Sequence, residues 1–326
     1  MSARPAPGIL LLSPLERIRI VMNVNPFGSL SVEEAALVAQ NCEERAYGKG
    51  EVLFQDGSPI DSFHILSAGE VQVSGAEHGD RVLGPGSAIG LLSMLSRLET
   101  GLDAVARSDV RTLQMRADVL AEVMEDRISI LFGAIRRIMR ETLAVRRHVP
   151  AGTRLGGTET FPELVATPRI DLVARLRVLR KSSIFRRAGV GSLVQMATSI
   201  EERRLSAGST LWNAGEPSGF FYLVIDGSIA CRRAVEGAFF ATSGYPLGNL
   251  ESQAGEPRWY TAVAETPVIL LRGDTEGFRD ILEENPDVAM DFLGLAALGR
   301  IQLREPVPSW SANSPQLPGP LDPSGF

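Results

Sequence analysis

The run GEPRWYTAVAE (255–265) opens an apolar, strand-like stretch with an arginine, Arg258. A guanidinium in that position is either the solvated end of a strand or a clamp for an anion. Ten residues earlier Gly248 opens a short Gly-led segment, Gly248-Asn249-Leu250. Glu256 is close enough in sequence to pair with Arg258. Trp259, Tyr260 and Thr261 follow the arginine. Trp259 and Tyr260 either pack against the closing helix or stack on a flat ligand. Covalent chemistry has no comparable support. His64, His78 and His148 are scattered without metal-ligand spacing, and no Ser-His-Asp order or P-loop occurs. The expectation is no catalytic residue, no metal and no cofactor.

The elements that must position these residues occur twice. EERAYGKGEVLFQDGSPIDSFHILSAGEVQV (43–73) aligns without a gap on EERRLSAGSTLWNAGEPSGFFYLVIDGSIAC (201–231). Gly50, Gly57, Pro59, Phe63 and Gly69 fall on identical residues. In the same register Gly90 meets Gly248, Ala104-Val105-Ala106 meets Ala262-Val263-Ala264, and Leu113 meets Leu271. The period is domain-sized, so the chain is a duplicated domain and not a solenoid. The pair Glu43-Glu44 with Arg45 recurs as Glu201-Glu202 with Arg203 and reads as a structural or surface feature. His64 aligns with Tyr222 and reads as an aromatic core position.

Each copy begins with helical spacing, Ala35, Val38, Ala39 and Cys42 in one and Leu193, Met196, Ala197 and Ile200 in the other. Short strands cut by glycines follow, then a Gly-led segment, a further strand and a closing helix. This pattern predicts class α+β: two duplicated β-jelly-roll (double-stranded β-helix) domains with flanking helices.

The stretches GEVLFQDGSPIDSFHILSAGEVQV (50–73) and GSTLWNAGEPSGFFYLVIDGSIA (208–230) carry a spacing of glycines and aromatics that resembles the cyclic nucleotide-binding domain. That family includes catabolite-activator-type regulators and kinase regulatory subunits. The resemblance covers roughly residues 22–147 and 169–303. It implies a phosphate-binding cassette of the form Gly-Glu-Leu-Ala, a short helix, then Pro-Arg, in which the free backbone N–H groups of the helix start and the arginine together hold the cyclic phosphate; Glu251, near that helix start, would oppose the phosphate. In copy two it implies that Gly248, Asn249, Leu250, Arg258, Trp259, Tyr260 and Thr261 line a site for cAMP or cGMP, with Arg258 on the phosphate. Asn249 stands where the family has Glu, and its amide oxygen can still accept the ribose hydroxyl. Trp259 stands where the family has a small residue. Copy one keeps Gly90 and Leu92, but Leu91 replaces the Glu and Thr100 replaces the Arg, which implies a degenerate, ligand-free site.

With 326 residues, 44 % of them hydrophobic, the chain can build two ordinary cores. A net charge of −6 argues against a general nucleic-acid binder, and no apolar run approaches a membrane span. Cys42 and Cys231 sit among apolar residues, as in a reduced, cytoplasmic protein. The expected organisation is an N-terminal extension at 1–21, a first domain at 22–148, a linker at 149–168, a second domain at 169–303 and a disordered Pro/Ser-rich tail at 304–326. Residues 118–149 read as one long helix, whose apolar stripe from Leu120 to Val145 could seal a homodimer. No DNA-binding module follows copy two, and no kinase, cyclase or channel segment accompanies it. The expectation is therefore a non-enzymatic regulatory or adaptor protein that signals to a protein partner, through the tail or the long helix. Copy two would bind the nucleotide phosphate. The alternative is a protein-interaction scaffold in which both domains have lost the ligand.

Overall fold

In the computed structural model, which describes residues 12–24, 27–75, 77–97, 101–157, 159–182, 185, 188–234 and 237–303, two serines start the first helices. Ser13 and Glu16 form a capping box on α1 (Pro14–Met22), and Ser31 and Glu34 form another on α2 (Val32–Gln40). The apolar side of α2, Ala35, Val38 and Ala39, is buried.

Eight strands follow: β1 (Glu43–Tyr47), β2 (Val52–Phe54), β3 (Ser62–Ala68), β4 (Val71–Gly75), β5 (Arg81–Leu83), β6 (Ala88–Ile89), β7 (Leu102–Ala106) and β8 (Val110–Arg116). The short helix α3 (Leu91–Leu95) lies between β6 and β7. The strands make two four-stranded sheets, β1-β8-β3-β6 and β2-β7-β4-β5. Leu66, Ile89 and Val110 of the first sheet meet Val71, Val73, Leu83 and Ala104 of the second in one apolar core. This is the expected jelly roll. Helices α4 (Ala117–Asp126) and α5 (Ile128–Arg146) close the copy.

Three elements come before the second roll proper: β9 (Arg154–Leu155), α6 (Pro162–Val165) and α7 (Leu172–Lys181). Then α8 (Val190–Ser199) leads into β10 (Glu201–Leu205), β11 (Thr210–Trp212), β12 (Phe220–Asp226), β13 (Ser228–Arg232), β14 (Ala238–Thr242) and β15 (Pro246–Leu247). After α9 (Asn249–Ala254) come β16 (Thr261–Ala264), β17 (Val268–Asp274), α10 (Thr275–Glu284) and α11 (Pro286–Gln302). The sheet orders, β10-β17-β12-β15 and β11-β16-β13-β14-β9, repeat those of copy one with β9 added at one edge.

The sequence register is also the structural register. Glu43 pairs with Gln114 and Glu201 with Arg272, at the same places in β1–β8 and β10–β17. Irregularities in β3 at Leu66/Ala68 and in β12 at Val224/Asp226 correspond too. Each is followed by a glycine with positive φ, Gly69 (85°) and Gly227 (88°). A Cβ at either would sit 2.3 Å from a backbone oxygen, of Asp109 and Pro267 respectively, so only glycine fits.

The structure also extends the repeat. The Glu44 carboxylate accepts the Leu12 N–H, and Glu202 accepts the Ile170 N–H. The recurring acid thus anchors the chain as it enters each copy, and α1 is the counterpart of α7. Residues 14–21, expected as part of an extension, are therefore an element of the repeat. Residues 149–168, expected as a linker, carry β9, which pairs in parallel with β14.

The long helix expected over 118–149 is two helices. Arg127 breaks it with φ −136° and ψ 80°, and Asn285 breaks the second copy's closing pair at the same register with φ −135° and ψ 80°. Leu120, Met124, Leu131, Ile135 and Ile138 of the apolar stripe are buried within the single chain. Ile128 and Val145 of the stripe are half-buried. The molecule divides into two units, one comprising Met1–Ile138 with Phe292–Pro306 and one built on Met139–Asp291. The expected tail at 304–326 lies outside the described residues. No helix among the described residues is long and apolar enough to cross a membrane.

Candidate functional site

In copy two the site is built on α9. Gly248 is its N-cap, with φ 74°, a left-handed conformation that favours glycine. Asn249 and Leu250, both half-buried, form the first turn, and Gly255 ends the helix with φ 68°. The chain then passes Pro257 and delivers Arg258 ahead of β16.

Arg258 is 4 % exposed, so it is neither a solvated strand end nor a surface turn residue. Its Nη1 donates to the Gly248 carbonyl at 2.9 Å and its Nη2 donates to the Phe220 carbonyl. The guanidinium carbon lies 4.1 Å from the centre of the Trp212 ring, a cation–π contact. Gly248 comes so close that a Cβ there would lie 2.3 Å from Arg258 Nη1. The arginine thus spans the helix start and β12. Its Nε is buried without a hydrogen-bond partner.

Glu251 lies deeper than its sequence position implied, at 2 % exposure. Burial raises its pKa, against the pull of Arg258 and a hydrogen bond from Trp259. Burial also lowers the pKa of Arg258, and Glu251 works against that shift. The expected partner Glu256 is engaged elsewhere. Its carboxylate lies 3.5 Å from Arg140 Nε and 3.8 Å from Arg147 Nη2, and Arg140 also donates to the Ala254 carbonyl at the end of α9.

Trp259 and Tyr260 point into the roll. Trp259 stacks on Phe239 at 5.5 Å and 18°, and Tyr260 meets both rings edge-on at 4.9 and 5.2 Å. Trp212 joins through Tyr260 at 5.5 Å and Tyr222 at 5.6 Å, and its indole N–H donates to the Tyr260 carbonyl. Packing for Trp259 is thus on the roll's own strands and not on the closing helix. Thr261 Oγ1 accepts the Ala214 N–H. A cavity of about 570 Å³ in this unit is lined by Arg169, Arg175 and residues 200–204, and shares no residue with 248–261.

Copy one has Phe54 where copy two has Trp212. Gly90, with φ 83°, caps α3, and a Cβ there would lie 2.8 Å from the Phe54 ring. Leu91, standing where the cassette has its glutamate, is 2 % exposed and belongs to the core. Leu92 is half-buried, and Thr100 lies outside the described residues. Sequence reasoning missed Glu77. This residue of the β4–β5 turn is 2 % exposed and accepts the Leu92 and Ser93 N–H groups, both at 3.2 Å, and the Ser93 hydroxyl at 2.8 Å. No spacing motif links a turn glutamate to a helix fifteen residues on. His64 is buried, with Nδ1 2.9 Å from Thr112 Oγ1 and edge contacts to Tyr47 and Phe54, as its core reading required. Among the described residues no group of His, Cys, Asp and Glu could hold a metal.

The family model described as "Cyclic nucleotide-binding domain" matches residues 44–127 and 202–285, the same stretch of each copy. A cyclic nucleotide-gated potassium channel of Mesorhizobium japonicum is 30 % identical over 129 residues, 38 % of this chain and 34 % of the channel. A cyclic AMP receptor protein of Thermus thermophilus is 31 % identical over 101 residues, 29 % of this chain and 47 % of the receptor. The chain thus spans about a third to a half of the length of these relatives. Among solved structures, the regulatory domain of Toxoplasma gondii PKA with cAMP is similar over 82 % of this chain and 92 % of its own, at 16 % identity and a TM-score of 0.32.

Proposed function

Since the chain belongs to the cyclic nucleotide-binding domain family, we propose that it is a non-enzymatic adaptor. Its two family domains keep their shape without a cyclic nucleotide and present it to a protein partner. The observation that carries this reading is the engagement of Arg258. The residue at the phosphate position is buried, already donates to the Gly248 and Phe220 carbonyls, and has the buried carboxylate of Glu251 beside it. A phosphate arriving there would meet like charge in a site that excludes water. Trp259, Tyr260 and Trp212 occupy the interior next to it. Copy one has neither the cassette's glutamate nor its arginine. Cys42 and Cys231 are both free and buried, in keeping with a reducing compartment such as the cytoplasm.

Calorimetric titration of the full chain with cAMP and with cGMP tests this. The expected result is no saturable heat up to millimolar nucleotide. A Kd below that range overturns the adaptor reading.

One observation favours a second reading, a nucleotide sensor in copy two. Arg258 Nε is buried without a hydrogen-bond partner and stands at the family's spacing from Gly248. In that reading a cyclic phosphate draws the guanidinium away from the two carbonyls and sits between it and the first turn of α9. Asn249 then accepts the ribose hydroxyl, while Leu250, Trp259, Tyr260 and Thr261 line the site. Arg258→Ala would then weaken binding about tenfold or more.

A further inference from the structure

Glu77 sits in the turn between β4 and β5, and its carboxylate is turned inward onto the first turn of α3. Oε1 accepts the Leu92 N–H, Oε2 accepts the Ser93 N–H and hydroxyl, and His78 Nε2 lies 3.4 Å from Oε1. Both oxygens of one anion therefore lie on the free amides at the start of this helix. In a complete cassette the family resemblance puts the cyclic phosphate on the equivalent groups.

Copy two supplies an independent observation. The counterpart of Ser93 in the repeat is Glu251, also 2 % exposed, whose Oε1 is buried with no hydrogen-bond partner. Each copy thus keeps one buried carboxylate at the start of its short helix. In copy one the acid comes from a hairpin turn, and in copy two from the helix itself.

We propose that Glu77 is a built-in anion that takes the position of a ligand phosphate in copy one and holds α3 against the β4–β5 turn without any nucleotide. This rests on the reading that copy one works ligand-free, and it gives that reading a physical cause. The carboxylate is tethered only fifteen residues from Leu92. Its effective concentration at the helix start is on the order of millimolar or higher, which a free anion must exceed to displace it.

The test is amide hydrogen exchange at Leu92 and Ser93 in the full chain. Glu77→Ala removes a charged acceptor from both amides, so their exchange should accelerate about tenfold or more. The variant also opens a carboxylate-sized slot, and sodium formate should slow exchange back toward the wild-type rate. Formate should leave the wild type unchanged. Wild-type exchange in Glu77→Ala, or acceleration that formate does not reverse in a variant still unfolding cooperatively, overturns the proposal. Should Glu77→Ala fail to fold, Glu77→Gln keeps the shape and loses the charge. Faster exchange that is insensitive to formate then supports the proposal, and the wild-type rate overturns it. The adaptor reading fails separately. Nucleotide heat in the wild type without any change at Leu92 and Ser93 would place the ligand in copy two and leave the role of Glu77 standing.

Discussion

Replacing Arg258 by alanine strands the Gly248 and Phe220 carbonyls that accept from its guanidinium. It also leaves Glu251 buried without its opposite charge. A buried acceptor left unpaired costs roughly 1–3 kcal/mol, so Arg258→Ala should destabilise the second copy by about 2–3 kcal/mol. Denaturant unfolding of wild type and variant reads this directly, and an unchanged midpoint would show that the arginine is not a brace. His64 allows a pH prediction. Burial lowers its pKa from 6.5 to about 4, with Arg45 adding to the effect. The unfolded chain therefore takes up a proton near pH 6.5 while the folded chain refuses it until about pH 4. The contribution of this residue is full above pH 6.5 and is lost as pH falls through that window, amounting to about 3 kcal/mol at most. His64→Phe should flatten the stability curve between pH 6.5 and 4, whatever constant offset the lost contact to Thr112 adds. Neither role was fully legible in the sequence. The repeat put His64 opposite Tyr222 and so marked a core position. The spacing from Gly248 marked Arg258, but carbonyls of residues 220 and 248 as its partners follow only from the way β12 returns to α9.

At the scale of elements, glycines separate two kinds of position. Gly90 and Gly248 cap α3 and α9 with positive φ and are also crowded, by the Phe54 ring and by Arg258. Gly50 has φ 89°, but a Cβ added there would have nothing within 4 Å. Alanine at Gly50 should cost only the backbone penalty of about 1–2 kcal/mol. Alanine at Gly90 or Gly248 adds overpacking, for a total of about 2–5 kcal/mol. Thermal unfolding of the three single variants checks the order, and equal losses would mean that the crowding relaxes freely. This is also why the roll was legible: positive φ beside a close neighbour restricts the residue type, and the restriction recurs at the same register. The helix break at Arg127 was not legible in copy one, where no Pro or Gly marks it and the apolar stripe runs on. Copy two does mark it, since Pro286 directly follows Asn285, and the repeat carries that signal back to Arg127. Glu77 left no such trace, because a turn residue contacting a helix fifteen positions away obeys no local rule.

On the whole-molecule scale, the first unit takes in the far part of α11, from Phe292 on. Leu293, Ala297 and Ile301 are buried, and a Cβ on Gly294 would lie 2.8 Å from the Leu95 carbonyl at the end of α3. Gly294→Ala should therefore loosen the first unit by about 1–3 kcal/mol. A chain stopped after residue 291 should lose far more, although every strand of copy one is still present. Exchange protection across β1–β8 measures both, and full protection in the shortened chain would show that α11 is dispensable there. The arrangement also has a consequence for biosynthesis. The strands of copy one wait for α11, because residues 139–291 must leave the ribosome before Phe292 can arrive. At ordinary elongation rates that delay is roughly ten to thirty seconds, a long time for a half-built domain to stand open to chaperones and proteases.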